Sequence, residues 1–315
     1  MNKSILLTTL AVLLVAGCTG TNIQLPFQQI TTTAIGGAGM VFSDFSVDPT
    51  AVNSNSSARV MMTVSNKGGA PVPDTKSLVY LTGSALSLAD TTGVYWHSST
   101  ETSQFKHFGK TMNPEDTVRG TPADEKTMTW SLIAPKDTRS DIFIGRVYYD
   151  YQTSVTGTVW VYSQSESDAA RASGRTLNKA TLSATSGPVA LSVRTSPDPV
   201  VLSTGENTFS MTIKVSNVGG GVLYKEGAVT YTSGSEDITL TTDELNKVDI
   251  AVSAPGMTVS GCTGEQELVA GKDITLSCDV TITSPPTTFQ GYPITVTATY
   301  GYNSERTASI TVQKR

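Results

Sequence analysis

Side chains suited to chemistry are sparse in this 315-residue chain. There are two histidines, His97 and His107, in a region that reads as β-rich. Facing imidazoles could bind a metal, but one metal needs three or four ligands. No cysteine or carboxylate pair stands with them, and the nearest acid is Glu101. They read as loop or strand-surface imidazoles. Carboxylates occur as Glu115-Asp116, Asp124-Glu125, Glu236-Asp237 and Asp243-Glu244. A glycosidase or calcium site would need some of these to converge. None forms an alternating Asp ladder, so they read as solvated loop charges. A Gly-x-Ser-x-Gly elbow is absent. Gly219-Gly220-Gly221 has neither the Lys nor the following helix of a phosphate loop. The sequence names no catalytic residue, no metal site and no cofactor.

Three cysteines remain. Cys18 ends an apolar N-terminal run, which leaves Cys262 and Cys278 as an even pair. Ile274, Leu276, Cys278, Val280 and Ile282 share one parity, so Cys278 is expected to point inward from a core strand. In a secreted chain the pair reads as a disulfide, which would stabilise its domain by about 3 kcal/mol in the chain-entropy model. Two buried free thiols are the other reading. No CxxC redox motif accompanies them.

One region suggests binding. Tyr95, Trp96, Phe105 and Phe108 stand close together among Gly, Ser and Thr. Aromatics in loops can form a flat platform for sugars or a partner protein; the alternative is that half of them pack into a core. Asn55-Ser56-Ser57 is a glycosylation sequon in a polar turn.

These residues need a scaffold, and the sequence describes one twice. Val64-Ser65-Asn66-Lys67-Gly68-Gly69 recurs as Val215-Ser216-Asn217-Val218-Gly219-Gly220. Before each phrase comes an Asp-Pro pair (Asp48-Pro49, Asp198-Pro199), then a polar stretch, then an alternating strand. Val60, Met62 and Val64 alternate with polar or mixed neighbours, as do Met211, Ile213 and Val215. Tyr149-Asp150-Tyr151 matches Tyr300-Gly301-Tyr302, 151 positions later. After a polar turn in each copy, Val159 and Val161 match Ile310 and Val312 as a closing strand. The expected organisation is one domain over 39–187 and a second over 188–315. Copy 1 carries a long middle section (81–126) of undetermined strand order. Residues 164–187 connect the copies, and a helix-compatible stretch at 168–179 is weakened by Gly174 and Thr176, favouring an irregular crossover. Copy 1 lacks cysteine. Its matching strand has Met128, Trp130 and Leu132 on one parity, which predicts that Trp130 fills the place of Cys278.

Strands at regular spacing, with turn signals and no helical alternation, indicate an all-β protein of two antiparallel sandwiches. The Pro-containing first strand and the Asn-x-Gly phrase resemble the immunoglobulin-like modules of prokaryotic surface proteins, CARDB-like and archaeal envelope modules among them. That resemblance implies two tandem immunoglobulin-like domains, over about 41–163 and 189–315, and no particular activity.

The N-terminus sets the compartment. Met1-Asn2-Lys3-Ser4 precedes an apolar run over 5–17. About 13 helical residues span roughly 20 Å, short of a ~30 Å hydrocarbon core, as in a signal peptide. The run ends in Leu14-Val15-Ala16-Gly17-Cys18, which resembles the lipobox of prokaryotic lipoproteins; an ordinary secretory signal is the other reading. The lipobox implies a signal peptide over 1–17, a lipidated Cys18, a tether over 18–38, and attachment to the extracytoplasmic face of a cell membrane. With 22 basic against 27 acidic residues, no basic patch exists to bind nucleic acid. The expected function is a non-catalytic surface lipoprotein with a structural or adhesive role, its partners being surface proteins or glycans. The alternative is a ligand- or glycan-binding accessory subunit of an envelope complex.

Overall fold

The structure, a computed structural model, describes residues 37–314. The signal peptide, Cys18 and nearly all of the tether lie outside the described residues. The first half contains β1 (Met40–Asp48), β2 (Ala51–Asn53), β3 (Ser57–Asn66), β4 (Ser77–Gly83), β5 (Phe105–Lys106), β6 (Glu125–Ile133) and β7 (Arg139–Ser163). Helix α1 (Gln164–Ala172) and β8 (Thr181–Ala184) lead to the second half. There the strands are β9 (Val189–Ser196), β10 (Val200–Leu202), β11 (Thr208–Asn217), β12 (Val222–Tyr224), β13 (Lys247–Ser253), β14 (Met257–Ser260), β15 (Gly264–Glu267), β16 (Asp273–Ile282) and β17 (Phe289–Gln313).

The fold is all-β and antiparallel apart from two short parallel pairings. The alternation that marked β3 and β11 does what strand geometry requires. Val60, Met62 and Val64, like Phe209, Met211, Ile213 and Val215, are buried. Strands β9, β11, β16 and β14 form one sheet in the order β14-β16-β11-β9, and β1-β3-β6 form its shorter counterpart. That is the D-E-B-A order of an immunoglobulin constant-type domain. Each small sheet packs against a shared ten-stranded sheet built on β7 and β17.

These two strands depart from the expected layout. A polar turn was expected between Tyr151 and Val159, with each copy closing on itself. Instead β7 and β17 each run unbroken for 25 residues and pair antiparallel over nearly their whole length. The first part of β7 pairs with β4 and with the end of β17. Its last part crosses over to pair with the start of β17 and, in parallel, with β10 of the second half. The end of β17 crosses the other way and pairs in parallel with β2 of the first half. Each sandwich therefore takes its closing strand from the other repeat. Thr153-Ser154-Val155-Thr156 is polar by composition but rich in β-branched residues, which suit a pleated strand. Parity never slips: Tyr149, Tyr151, Val155, Val159 and Val161 are all buried.

The crossover has an approximate two-fold axis. Asp150 pairs with Gly301, flanked by Tyr151↔Tyr300 and Tyr149↔Tyr302. The four tyrosines are at most 4% exposed. Their rings form a closed cycle with centroids 5.8–6.4 Å apart, the range in which aromatic pairs attract.

The recurring Asn-x-Gly phrase is the other part of this joint. Buried Asn66 donates through Nδ2 to the carbonyls of Ala70 and Met112, both at 2.8 Å. Asn217 donates likewise to Gly221 and Gly271 and accepts from the Tyr302 hydroxyl at 3.0 Å. Ala70 N–H donates to the Tyr151 hydroxyl at 3.0 Å, and Gly221 N–H to that of Tyr302 at 2.7 Å. A Cβ at Gly68 would overlap the Tyr151 hydroxyl, and one at Gly219 would stand 2.6 Å from that of Tyr302. Both positions need glycine so that the turn can approach its tyrosine.

Helix α1 corrects the expectation of an irregular crossover. It begins four residues before the helix-compatible stretch, where the Ser163 side chain accepts from Glu166 N–H as an N-cap. It ends at Ala172, ahead of Gly174, which takes a positive φ of 69°. The long middle section (81–126) holds the end of β4 and the start of β6, and between them only the two-residue β5, on the edge of β4; the rest is turns and isolated bridges.

Candidate interaction surface

Residues 225–246, a loop of the second half, lie beside the crossover on the face of the shared sheet opposite the four tyrosines. Tyr148 and Asp150 point to this face. Leu78, Tyr148, Tyr224, Val229 and Tyr231 form a second, smaller core there, beneath residues 225–246 of the second half. Tyr224 lies over the Gly301 backbone so closely that a Cβ at 301 would sit 1.9 Å from its ring. This explains why the second repeat has Gly where the first has Asp. The Tyr231 hydroxyl donates to Asp150 Oδ1 at 2.9 Å and lies 2.9 Å from the Tyr224 hydroxyl. Burial pushes the Asp150 carboxyl up to about 6, against the opposing pull of Tyr231 and the Lys76 ammonium. An acid with a raised pKa in contact with tyrosines has the ingredients of proton transfer. Here it is only 6% exposed under its loop and acts as an internal acceptor.

From residues 84–124 of the first half, Phe105 and His107 reach this face, while the rest closes the open side of the first sandwich, where His97 pairs with Ile133 of β6 and Trp96 packs among core residues. Phe105 stacks on Tyr80 at 4.7 Å. Lys106 pairs with Glu101 at 3.0 Å, donates to the Thr129 carbonyl, and lies 5.0 Å from the centre of the Trp130 ring. His107 Nε2 meets Glu236 Oε1 at 3.1 Å, and Lys76 meets Glu226 at 2.6 Å. Both contacts join the first half to the loop of the second.

The structure does not bring the four aromatics into one platform. Trp96 and Phe108 are buried, so half of the four pack into the core, the alternative reading for this group, and neither belongs to a binding platform. Trp96 packs edge-on against Phe143 at 5.4 Å, and its Nε1 donates to buried Asp141. Phe105 is half-buried, and Tyr95 alone is exposed, at 45%. Tyr95 sits on a turn that Asp90 organises by accepting from the N–H groups of Thr92, Gly93, Val94 and Tyr95. With the Thr92 hydroxyl, these bonds hold the Asp90 carboxyl well below the usual carboxylate range.

The histidines do not face each other: the His97 ring turns to the Tyr95 carbonyl, while His107 meets Glu236. The paired carboxylates serve local turns. Asp116 accepts from Val118 and Arg119, Asp124 from Lys110 and Asn113, Asp237 from Thr239, and Glu244 from Thr241. Among the described residues, no group of three His, Cys, Asp or Glu is arranged to hold a metal ion. Asn55 is exposed, with φ 58°. Cys262 and Cys278 are bonded, with Cα atoms 5.1 Å apart, and both are fully buried. Trp130 pairs with Val60, and Cys278 with Met211, 151 positions after Val60. Trp130 and Cys278 therefore occupy equivalent places.

Sequence reasoning missed Asp150, Tyr224 and Tyr231. The available signal was an acid on the same parity as Tyr148, within the most aromatic stretch of the chain.

No protein-family model matches the chain, and no curated protein matches it. Similar solved structures include the D0-D1 domain of intimin, at 8% identity and a TM-score of 0.19, covering 88% of this chain and 98% of that one. The Yersinia pseudotuberculosis adhesin InvE matches at 13% identity and a TM-score of 0.18, covering 86% and 58%. The alpha-2-macroglobulin of E. coli matches at 10% and 0.21, covering 90% and 17%. Likenesses this low carry no argument, and the fold rests on the strand pairing itself. No helix among the described residues is long and apolar enough to cross a membrane.

Proposed function

We propose that this chain is a non-catalytic surface protein, held at the extracytoplasmic face of a membrane by a lipid on Cys18, that binds a surface protein or glycan through its loops. One observation carries the binding part of this reading. Phe105 and His107 of the first repeat and residues 225–246 of the second meet over one continuous sheet, so loops of both halves are held together in a pre-organised patch. Pre-organisation lowers the ordering cost of binding. Elsewhere on the loops of the first half, Val94, Tyr95 and Val118 are exposed, Val118 at 94%. The lipobox supports the anchor.

Mass spectrometry of the native N-terminus tests the anchor: a lipidated Cys18 is expected, and an unlipidated chain starting elsewhere overturns it. Binding to intact cells or glycan arrays tests the surface. Tyr95→Ala is expected to weaken binding about tenfold, the effect of losing roughly 1.4 kcal/mol of contact. Unchanged binding by Tyr95→Ala and by Val118→Asp removes this surface from the account.

A further inference from the structure

Where β7 ends and β17 begins, the shared sheet carries an aromatic cluster. Trp160 and Tyr162 have the parity of Tyr148 and Asp150, so they stand on the face opposite the four tyrosines. Trp160 pairs with Gly291, and Tyr162 with Phe289. The Phe289 ring stacks on Tyr162 at 5.7 Å and meets Trp160 at 6.2 Å. A Cβ at Gly291 would come within 3.2 Å of the Trp160 ring, so the glycine leaves room for the indole to lie across the neighbouring strand. Tyr162 is buried, Trp160 is half-buried, and Phe289 is 48% exposed.

The repeated frame does not require these rings. The positions related to Trp160, Tyr162, Phe289 and Gly291 by the 151-residue offset are Thr311, Gln313, Thr138 and Ser140. None has a ring, yet β7 and β17 pair at that end too.

The cluster adjoins a cleft of about 540 Å³. Ser163 N–H donates to Thr288 O at 2.7 Å, next to the Tyr162–Phe289 pair, and Ser163 and Thr287 line the cleft. Pro285 and Pro286 form one wall. Gln164 and Asn207 bring amides to it, and Ser203 and Thr204 bring hydroxyls. Glu206 is its one charged lining residue among the described residues.

We propose that this cleft and its aromatic wall bind a neutral oligosaccharide. A pyranose presents a face of C–H groups and a rim of hydroxyls. The rings of Trp160 and Phe289 suit the face, and the amides and hydroxyls of the cleft suit the rim. With a carboxylate and no cation among the lining residues, the cleft repels an acidic sugar or a phosphate. The site adds to the surface role proposed above and does not depend on the loops of the first half. The Tyr95 turn is tied to Arg139, at the opposite end of β7.

The test uses the full chain. The probes are neutral hexasaccharides of glucose, mannose, xylose and N-acetylglucosamine, with polygalacturonate and a proline-rich peptide as the competing ligand classes. Of the three tryptophans, Trp96 and Trp130 are fully buried, so a shift in emission on binding reports Trp160. At least one neutral hexasaccharide is expected to bind and shift that emission. By calorimetry, Phe289→Ala and Asn207→Ala are each expected to weaken its binding about tenfold. Trp160→Ala should weaken it further, and Trp160→Phe should recover most of the loss. Tyr95→Ala should leave this binding unchanged, which separates the site from the loops of the first half. Hexasaccharide binding that Trp160→Ala and Phe289→Ala leave within about twofold overturns the proposal. Binding of only the peptide or the polygalacturonate overturns it, and so does binding of none of the probes.

Discussion

The two halves have the same frame and are fastened differently. At equivalent core positions the first repeat has Trp130 and the second has the Cys262–Cys278 bond. On the two-fold axis the first repeat places Asp150 and the second Gly301, with the Tyr224 ring over the glycine. The shared features are those of the joint: two Asn-x-Gly turns, two Tyr-x-Tyr pairs and two exchanged closing strands. What is repeated forms the joint; what differs gives each half its own core and loops and adds cross-half contacts of its own, such as Tyr231 with Asp150 and His107 with Glu236.

Removing the aromatic fastener is expected to have the largest effect. Trp130 is fully buried, and Trp130→Ala should cost about 3–5 kcal/mol through lost burial and the cavity left behind. Because each sandwich contains a strand of the other repeat, both should melt together, so calorimetry should show one transition at a lower temperature. Two separated transitions would mean that the halves are energetically independent. Cys262→Ser with Cys278→Ser is expected to cost somewhat less, about 2–4 kcal/mol, and equilibrium denaturation of the two variants side by side ranks the fasteners.

The axis residue gives a smaller effect with a definite sign. Asp150 is raised from an ordinary value near 3.8 to about 6 in the folded state. The native protein thus keeps a proton that the unfolded chain releases. The resulting stability is fully present below about pH 4 and is lost as pH rises through about 6. Asp150→Asn keeps the acceptor for Tyr231 without the charge. Relative to the wild type, it should gain up to about 2–3 kcal/mol between pH 4 and pH 7.5. A constant difference across that range would show that Asp150 ionises as freely as an exposed acid.

Much of this was legible in residue types and spacing. Parity identified β3, β11 and β16, placed Cys278 inward and matched it to Trp130. The 151-residue offset marked the joint before its geometry was known. Three things were hidden, each for a physical reason. Gln152–Thr158 looked like a turn because its residues are small and polar, yet Thr and Val favour strands and the parity never broke. Helix α1 is short and mostly polar, and its start depends on the Ser163 cap rather than on apolar periodicity. Trp96 and Phe108 sit among loop residues in sequence, and only the long-range contact of Trp96 with Phe143 and Asp141 shows why that ring is inside.

The central claim is that the closing strands are exchanged, and one cross-link tests it most directly. Ile142 and Ser309 are exposed, paired partners on β7 and β17. They lie eight residues from the two-fold, roughly 26 Å along the strands. With Ile142→Cys and Ser309→Cys in a Cys18→Ser chain, oxidation should join positions 142 and 309 within a monomer in nearly every molecule. If β17 instead folded back onto its own repeat, position 309 would lie against the second sandwich. The monomer would then stay uncross-linked, and the exchange would be wrong.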